Sequence, residues 1–126
     1  MVSYILELTE EQLREIKHAC ETCSRINMLQ LDMIAEYIGK GISEDKFCDV
    51  RSALENTEKE IKDILSYRIR TESSNILWDI YQVTRHQLAW DQLEKEGKTK
   101  PDFFSVIYDV PLRTAKSPLA KISQKK

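Results

Sequence analysis

The uninterrupted segment from Thr9 to Gly39 constrains the fold more than any other feature of this sequence. Thr9, followed three positions later by Gln12, is the signature of a capping box at the start of a helix. Gly39 is typical of a helix end, because glycine enters the left-handed conformation after a last turn without steric cost. Neither proline nor glycine lies between these two points. The sequence therefore predicts one helix over residues 9–39, about 45 Å long at roughly 1.5 Å per residue.

A seam of residues spaced by three and four runs along this segment and predicts the face that it buries. The seam consists of Leu13, Ile16, Cys20, Cys23, Asn27, Gln30, Ile34 and Tyr37. Asn27 and Gln30 interrupt it near Arg25, and two interpretations stay open. They form a buried polar pair that fixes the register of a helix–helix interface, or they line a ligand cleft together with Arg25. Because the helix is longer than one small domain needs, we expect part of it to pack on a second copy of the chain, as a homodimer or larger homo-oligomer.

Alternation, caps and turn residues predict the remaining elements of a single domain over residues 1–126. These elements are a strand at 2–8, helices at 43–66 and 74–96, a strand at 103–110 and an extended tail at 111–126. Ser43 and Ser74 are the expected N-caps of the two later helices. The short turn after residue 39 makes the second helix antiparallel to the first. The predicted fold class is mainly α (α+β), with three antiparallel helices and a small β element formed by the N- and C-terminal segments.

Charge and hydropathy argue against several classes of partner. The chain has 19 Lys and Arg against 21 Asp and Glu, a net charge of −2, so no overall basic surface predicts binding to duplex nucleic acid. No apolar run approaches the roughly 18 residues of a membrane span, and the first residues lack a signal peptide's basic region. We expect a cytoplasmic protein. Its three cysteines are an odd number, which argues against a disulfide framework. We expect them to be small core residues.

Motifs for catalysis and metal binding are missing from the sequence, which predicts no enzyme, no metal and no cofactor. It contains no glycine-rich phosphate loop, no nucleophile elbow and no metalloprotease motif. The enzyme class that needs testing is the all-helical magnesium-dependent nucleotide pyrophosphohydrolases, which hold magnesium with carboxylates one helical turn apart. The second helix offers such spacings with Glu55, Glu58, Glu60 and Asp63. These residues alternate with lysines, however, which is the usual pattern of a solvated helix face.

Arginines and aromatic residues give the stronger indication of a binding site. Guanidinium groups match phosphate oxygens in pairs and stay charged at physiological pH, and aromatic rings stack on nucleobases. Surface positions, or structural ion pairs with aspartates such as Asp79, are the alternative interpretation of each arginine. The candidate ligand-binding residues are Arg25, Gln30, Trp78, Arg85 and Arg113, followed by Arg68 and Phe103. Such a set contains no nucleophile or general base, so it predicts a binder that leaves its ligand intact.

Three stretches of the chain resemble, in their order, small phage and prophage proteins. The stretches are Tyr4–Leu13 running into Glu21-x-Cys23-x-Arg25-x4-Gln30, then Ile80-Tyr81-Gln82 with Arg85-His86, and then Val106–Asp109 followed by Pro111 and Pro118-Leu119. In size and layout the chain is similar to the Thoeris anti-defence sponges. The resemblance implies a viral oligomer, built on its long N-terminal helices, that sequesters a cyclic ADP-ribose isomer or a cyclic oligonucleotide in the host bacterial cytoplasm.

Three functional hypotheses follow from the residues and the resemblance together. The first is a phage anti-defence protein that binds and sequesters a cyclic nucleotide immune signal without hydrolysing it. The second is a helical adaptor of phage origin that binds a protein partner. The third is the magnesium-dependent nucleotide pyrophosphohydrolase.

Overall fold

The computed structural model of the chain describes residues 2–39, 41–65, 70–98 and 111–125. It contains four helices in this part of the chain. They are α1 (Glu10–Asn27), α2 (Met33–Ile38), α3 (Glu44–Leu65) and α4 (Glu72–Lys95).

The predicted β element is wrong, and the fold of the described residues is all-α. Residues 2–8 form no strand, and the side chains of Tyr4 and Ile5 are 92% and 98% exposed. The predicted partner strand at 103–110 lies outside the described residues. Alternating side chains indicate one buried face, but a strand also needs a neighbour for its backbone N–H and C=O groups. Residues 2–8 find none within the described part of the chain.

The predicted capping box at the start of α1 is confirmed. The Thr9 hydroxyl accepts from the Gln12 N–H at 3.1 Å, and the Gln12 side-chain oxygen accepts from the Thr9 N–H at 2.9 Å. Glu10 and Glu11 occupy the first turn, where the helix dipole favours negative charge. The local sequence is therefore sufficient to start this helix.

The prediction of one helix over 9–39 is wrong, because a turn at Leu29 divides the segment into α1 and α2. Leu29 has a φ of 59°, in the left-handed region. Its N–H donates to the Ile26 carbonyl at 2.8 Å, and the Gln30 N–H donates to the Arg25 carbonyl at 2.9 Å. This is the Schellman pattern that ends helices, here with leucine at the position that glycine usually takes. Burial of the Leu29 side chain, 7% exposed, offsets the conformational penalty.

Gly39 ends α2 but plays a different part from the predicted one. Its φ is −83°, so it does not adopt the left-handed conformation. A Cβ at this position would lie 2.5 Å from both the Ala35 carbonyl oxygen and a ring carbon of Phe47. Glycine therefore allows the close approach of α2 and α3, and Gly41, with a φ of 86°, supplies the positive φ of the connection.

The main helix pair is α1 with α4, whereas the sequence predicted α1 antiparallel to the second helix. Ser24, near the end of α1, contacts Ser74, near the start of α4, while Lys95 at the end of α4 pairs with Glu10. The two helices are therefore antiparallel. In the described part of the chain α3 contacts no helix except α2, and none of its residues is buried. The predicted bundle of three antiparallel helices is wrong. The described residues instead form the α1–α4 pair, to which a helical hairpin of α2 and α3 is attached.

Ser74 was predicted to cap its helix, but Thr71 does so. The Thr71 hydroxyl accepts from the Ser74 N–H at 3.0 Å, and the helix begins at Glu72. Ser74 is fully buried instead: its hydroxyl donates to the Ser24 carbonyl at 3.1 Å, and the Ser24 hydroxyl donates to the Ser74 carbonyl at 3.0 Å. Two small side chains thus join the helices by reciprocal hydrogen bonds.

The C-terminal segment 111–125 has no helix or strand and is held along α4 by carboxylates. Asp79, 3% exposed, accepts hydrogen bonds from the Thr114 N–H (3.0 Å), the Thr114 hydroxyl (2.5 Å) and the Ala115 N–H (3.0 Å). Glu72 accepts from the Lys116 N–H at 2.6 Å. The sequence suggested Asp79 only as an ion-pair partner for arginine. In the structure its carboxylate instead accepts hydrogen bonds from the backbone of the tail.

At position 29 we predict the reverse of the usual helix ranking of alanine over glycine. Leu29→Ala and Leu29→Gly both remove a buried side chain, which typically costs about 2–5 kcal/mol. Glycine adopts a positive φ without strain, so we expect Leu29→Gly to be more stable than Leu29→Ala by about 1 kcal/mol in urea unfolding. At the exposed position 19 of α1, Ala19→Gly should instead lose about 1 kcal/mol. Equal stabilities of the two variants at position 29 would contradict the left-handed turn.

We also predict that Asp79→Asn releases the tail. The amide places an NH₂ group, which accepts nothing, where the carboxylate receives backbone N–H groups, so the expected loss of stability is about 2–4 kcal/mol. Hydrogen exchange should accelerate most at the amides of residues 114 and 115. Asp63→Asn makes the same chemical change on the exposed surface of α3 and should leave both quantities unchanged. Unchanged exchange at these two amides in Asp79→Asn would contradict the role of Asp79 in holding the tail.

Candidate functional site

The candidate site is built around Arg25, in the last turn of α1. Its Nε donates to Glu21, one turn earlier, at 3.2 Å, and its Nη1 donates to the Gln30 side-chain oxygen at 3.2 Å. The Leu29 turn brings Gln30 back toward Arg25, which a continuous helix would not do. The side chain of Arg25 is one-third exposed, so part of the guanidinium remains open to a ligand.

Trp78 provides the aromatic surface of the site from α4. The Arg25 guanidinium carbon lies 5.4 Å from the centroid of the Trp78 ring, within the range of a cation–π interaction. The ring of Tyr81 is tilted against Trp78 with centroids 5.1 Å apart. The bonded serines Ser24 and Ser74 lie beside these residues, so the helix pairing itself fixes the distance between arginine and tryptophan.

A cavity of about 90 Å³ lies between the end of α1 and the start of α4. It is lined by Ser24, Arg25, Met28, Gln30, Arg70 and Trp78. Arg70 was noted in the sequence as one of the arginines near aromatics but was not selected for the site. The signal that would have selected it is its position just before Thr71, the N-cap of the helix that carries Trp78.

The charges around this cavity favour an anion. Arg25 and Arg70 both line it, whereas no carboxylate does, and Glu21 is already paired with Arg25. Burial raises the pKa of Tyr81, and the Glu21 carboxylate raises that pKa further, while Arg85 and Arg25 lower it. Tyr81 is therefore a neutral phenol at physiological pH, and the arginines supply the charge of this region.

Three of the predicted site residues come together here, two lie elsewhere, and two lie outside the described residues. Arg25, Gln30 and Trp78 line the cavity. Arg85 lies further along α4, with its guanidinium carbon 5.7 Å from the Tyr81 ring centroid, and does not line it. Arg113 is exposed on the tail, next to the residues that bind Asp79. Arg68 and Phe103 lie outside the described residues.

A second, larger depression of about 480 Å³ lies at the opposite end of α4. Its lining comprises Gln87, Trp90, Asp91, Leu93, Glu94, Lys98, Ser123 and Gln124. Trp90 is 43% exposed there, with His86 edge-on to its ring. Two carboxylates and one lysine make this surface less suited to a phosphate than the cavity beside Arg25.

The acidic residues of α3 that suggested a hydrolase do not form a metal site among the residues described. One Glu58 carboxylate oxygen accepts from the Leu31 N–H at 2.8 Å, and the other pairs with Lys62 at 3.2 Å. No group of three or more His, Cys, Asp or Glu residues in the described ranges could hold a metal ion. Glu58 thus fixes the start of α2 against α3.

Searches of protein-family models, curated proteins and solved structures found no match to this chain. Within the described residues, no helix combines the length and apolar character needed to cross a membrane. The residues and geometry above therefore carry the functional argument.

We predict that Arg25 shields the Trp78 ring from solvent. In a Trp90→Phe background, where Trp78 is the only tryptophan, Arg25→Ala should increase quenching of the fluorescence by acrylamide. The lost cation–π contact should also lower stability by about 0.5–1 kcal/mol. Arg14→Ala, which removes an exposed arginine elsewhere on α1, should leave the quenching unchanged. Equal quenching with and without Arg25 would contradict the position of its guanidinium over the Trp78 ring.

Proposed function

We propose that this protein binds a nucleotide through its phosphate and leaves it intact. The observation that carries the proposal is that Arg25, Arg70, Gln30 and the ring of Trp78 line the same cavity. Two guanidinium groups supply paired donors for phosphate oxygens, and the amide of Gln30 supplies a further donor. An indole ring beside them offers a stacking surface for a base.

The size of the cavity supports a phosphate as the enclosed group. At about 30 Å³ per water molecule, 90 Å³ corresponds to roughly three waters, well below the pockets of about 300–1,000 Å³ that enclose whole small-molecule ligands. The sugar and base of a nucleotide would therefore lie outside the cavity, against Trp78 and the Leu29 turn.

The chemistry of the lining supports binding without hydrolysis. It contains no carboxylate, histidine, lysine or cysteine. Its one hydroxyl, that of Ser24, is 1% exposed and donates to the Ser74 carbonyl, so it is not free to attack a ligand. The arginines stay charged and stabilise a bound anion, but they do not accept a proton from water at physiological pH.

The sequence resemblance gives the proposal its specific form. The ligand class to test first is the cyclic ADP-ribose isomers, followed by cyclic di- and trinucleotides. On this proposal the protein lowers the free concentration of a bacterial immune signal by holding it, in the manner of the Thoeris anti-defence sponges, and acts in the host cytoplasm during phage infection.

Thermal unfolding against this ligand panel, with ordinary nucleoside triphosphates and magnesium included, tests the function. Binding stabilises the fold by RT ln(1 + [L]/Kd), so a ligand at about 100 times its Kd contributes roughly 2.7 kcal/mol, an upward shift of several degrees. Arg25→Ala and Arg70→Ala should reduce this shift. Arg51→Ala, which removes an exposed arginine on α3, should keep it.

Recovery of the ligand after denaturation separates binding from turnover. We expect the compound to be recovered with unchanged mass by mass spectrometry. A cleaved product would replace the proposal with the pyrophosphohydrolase, and Glu58→Gln and Asp63→Asn would then identify its acidic residues. The absence of a shift with every compound would reject nucleotide binding and favour the adaptor hypothesis.

A further inference from the structure

The surface of α3 that α2 leaves uncovered has the pattern of a helix that pairs with itself. The helix spans Glu44–Leu65, about 33 Å at 1.5 Å per residue, and α2 has only six residues. Phe47 meets Gly39 at one end of this contact, and Glu58 meets Leu31 at the other. The side of α3 next to this contact remains open to solvent.

One stripe of residues at helical spacing follows this open side. It consists of Ile42, just before the helix, and then Lys46, Val50, Ala53, Thr57, Glu60 and Ile64, of which Val50 is half-buried and the others are exposed. Ile64 is 80% exposed and Ile42 37%, so large apolar side chains stand at both ends of the stripe. The Thr57 hydroxyl donates to the Ala53 carbonyl of its own helix at 2.9 Å, which satisfies it internally. The middle of the stripe therefore needs no polar partner.

The charged members of the stripe have opposite signs and lie on either side of its centre. Lys46 precedes Ala53 by seven residues, and Glu60 follows it by seven. Neither side chain forms an ion pair with another described residue. In a parallel, in-register pair, lysine would face lysine and glutamate would face glutamate. In an antiparallel pair each lysine faces a glutamate.

We propose that α3 pairs with α3 of a second copy of this chain, antiparallel, about a two-fold axis at Ala53. This register places Ala53 against Ala53 of the second copy, where small side chains allow close approach. Lys46 then faces Glu60 and Ile42 faces Ile64, each contact occurring twice, and Val50 lies within one residue of the position opposite Thr57. A self-complementary surface of this kind is what a two-fold interface requires, and the two helix dipoles oppose each other.

This interface differs from the one predicted from the sequence, which used the N-terminal helix. Cys20 of that predicted seam is buried within one chain, and Ser24, one turn after it, is buried as well and bonds to Ser74 of α4. This part of α1 thus packs on α4 within the chain, whereas Cys23, Gln30 and Tyr37 of the predicted seam are exposed. The proposal is independent of nucleotide binding, because none of its residues lines the cavity beside Arg25.

A charge-reversal cycle tests both the surface and the register. Sedimentation equilibrium should give the wild-type protein twice the chain mass of 14.8 kDa over the micromolar range. Lys46→Glu and Glu60→Lys each create two like-charge contacts, and each should weaken the dimer by about tenfold or more. The double variant, which exchanges the two charges, should restore the wild-type dissociation constant to within about threefold.

Lys59→Glu makes the same charge change on the opposite side of α3 and should leave the dimer unchanged. Far-UV circular dichroism of each variant establishes that the helices remain folded, since all of these positions are exposed. A wild-type protein that stays monomeric would overturn the proposal. So would a dimer that tolerates both single reversals, or one that the double variant fails to restore.

Discussion

The reciprocal hydrogen bonds between Ser24 and Ser74 are the contact on which the rest of this structure depends. They join residues 50 positions apart and hold the end of α1 against the start of α4, while Lys95 and Glu10 pair at the opposite end, so the two helices are antiparallel. Both serines are buried, so each hydroxyl and carbonyl finds its partner within the pair rather than in water. Arg25 and Trp78 stand beside this contact, and their 5.4 Å separation follows from it.

The turn at Leu29 ends α1 and shapes the candidate site beside it. A leucine in the left-handed conformation is unfavourable by itself, and the burial of its side chain stabilises the arrangement. The result is that Gln30 folds back onto Arg25, and α2 leaves α1 to pack on α3. The same break leaves α3 outside the α1–α4 pair, and among the described residues α2 is the one helix that packs on it.

The residues of the candidate site could be predicted in part from their chemistry. Arg25, Gln30 and Trp78 were selected because guanidinium, amide and indole groups suit a nucleotide, and the structure brings all three to one cavity. Arg85 and Arg113 were selected on the same grounds, and they lie elsewhere, because composition does not determine which arginines face one another. Arg70 was missed for the same reason. The role of Asp79 could not be read from its neighbours, since its partners at 114 and 115 lie 35 and 36 residues away.

The sequence by itself determined the features that depend on a few adjacent residues. Thr9 and Gln12 cap α1 through groups three positions apart, and the helical character of 44–65 and 72–95 follows from local propensity and periodicity. Only the tertiary structure decided where α1 ends, which helix it pairs with and that residues 2–8 form no strand. Each of these outcomes depends on burial of a side chain, or pairing of a backbone, by residues distant in the chain. A local pattern contains no information about whether that distant partner is present.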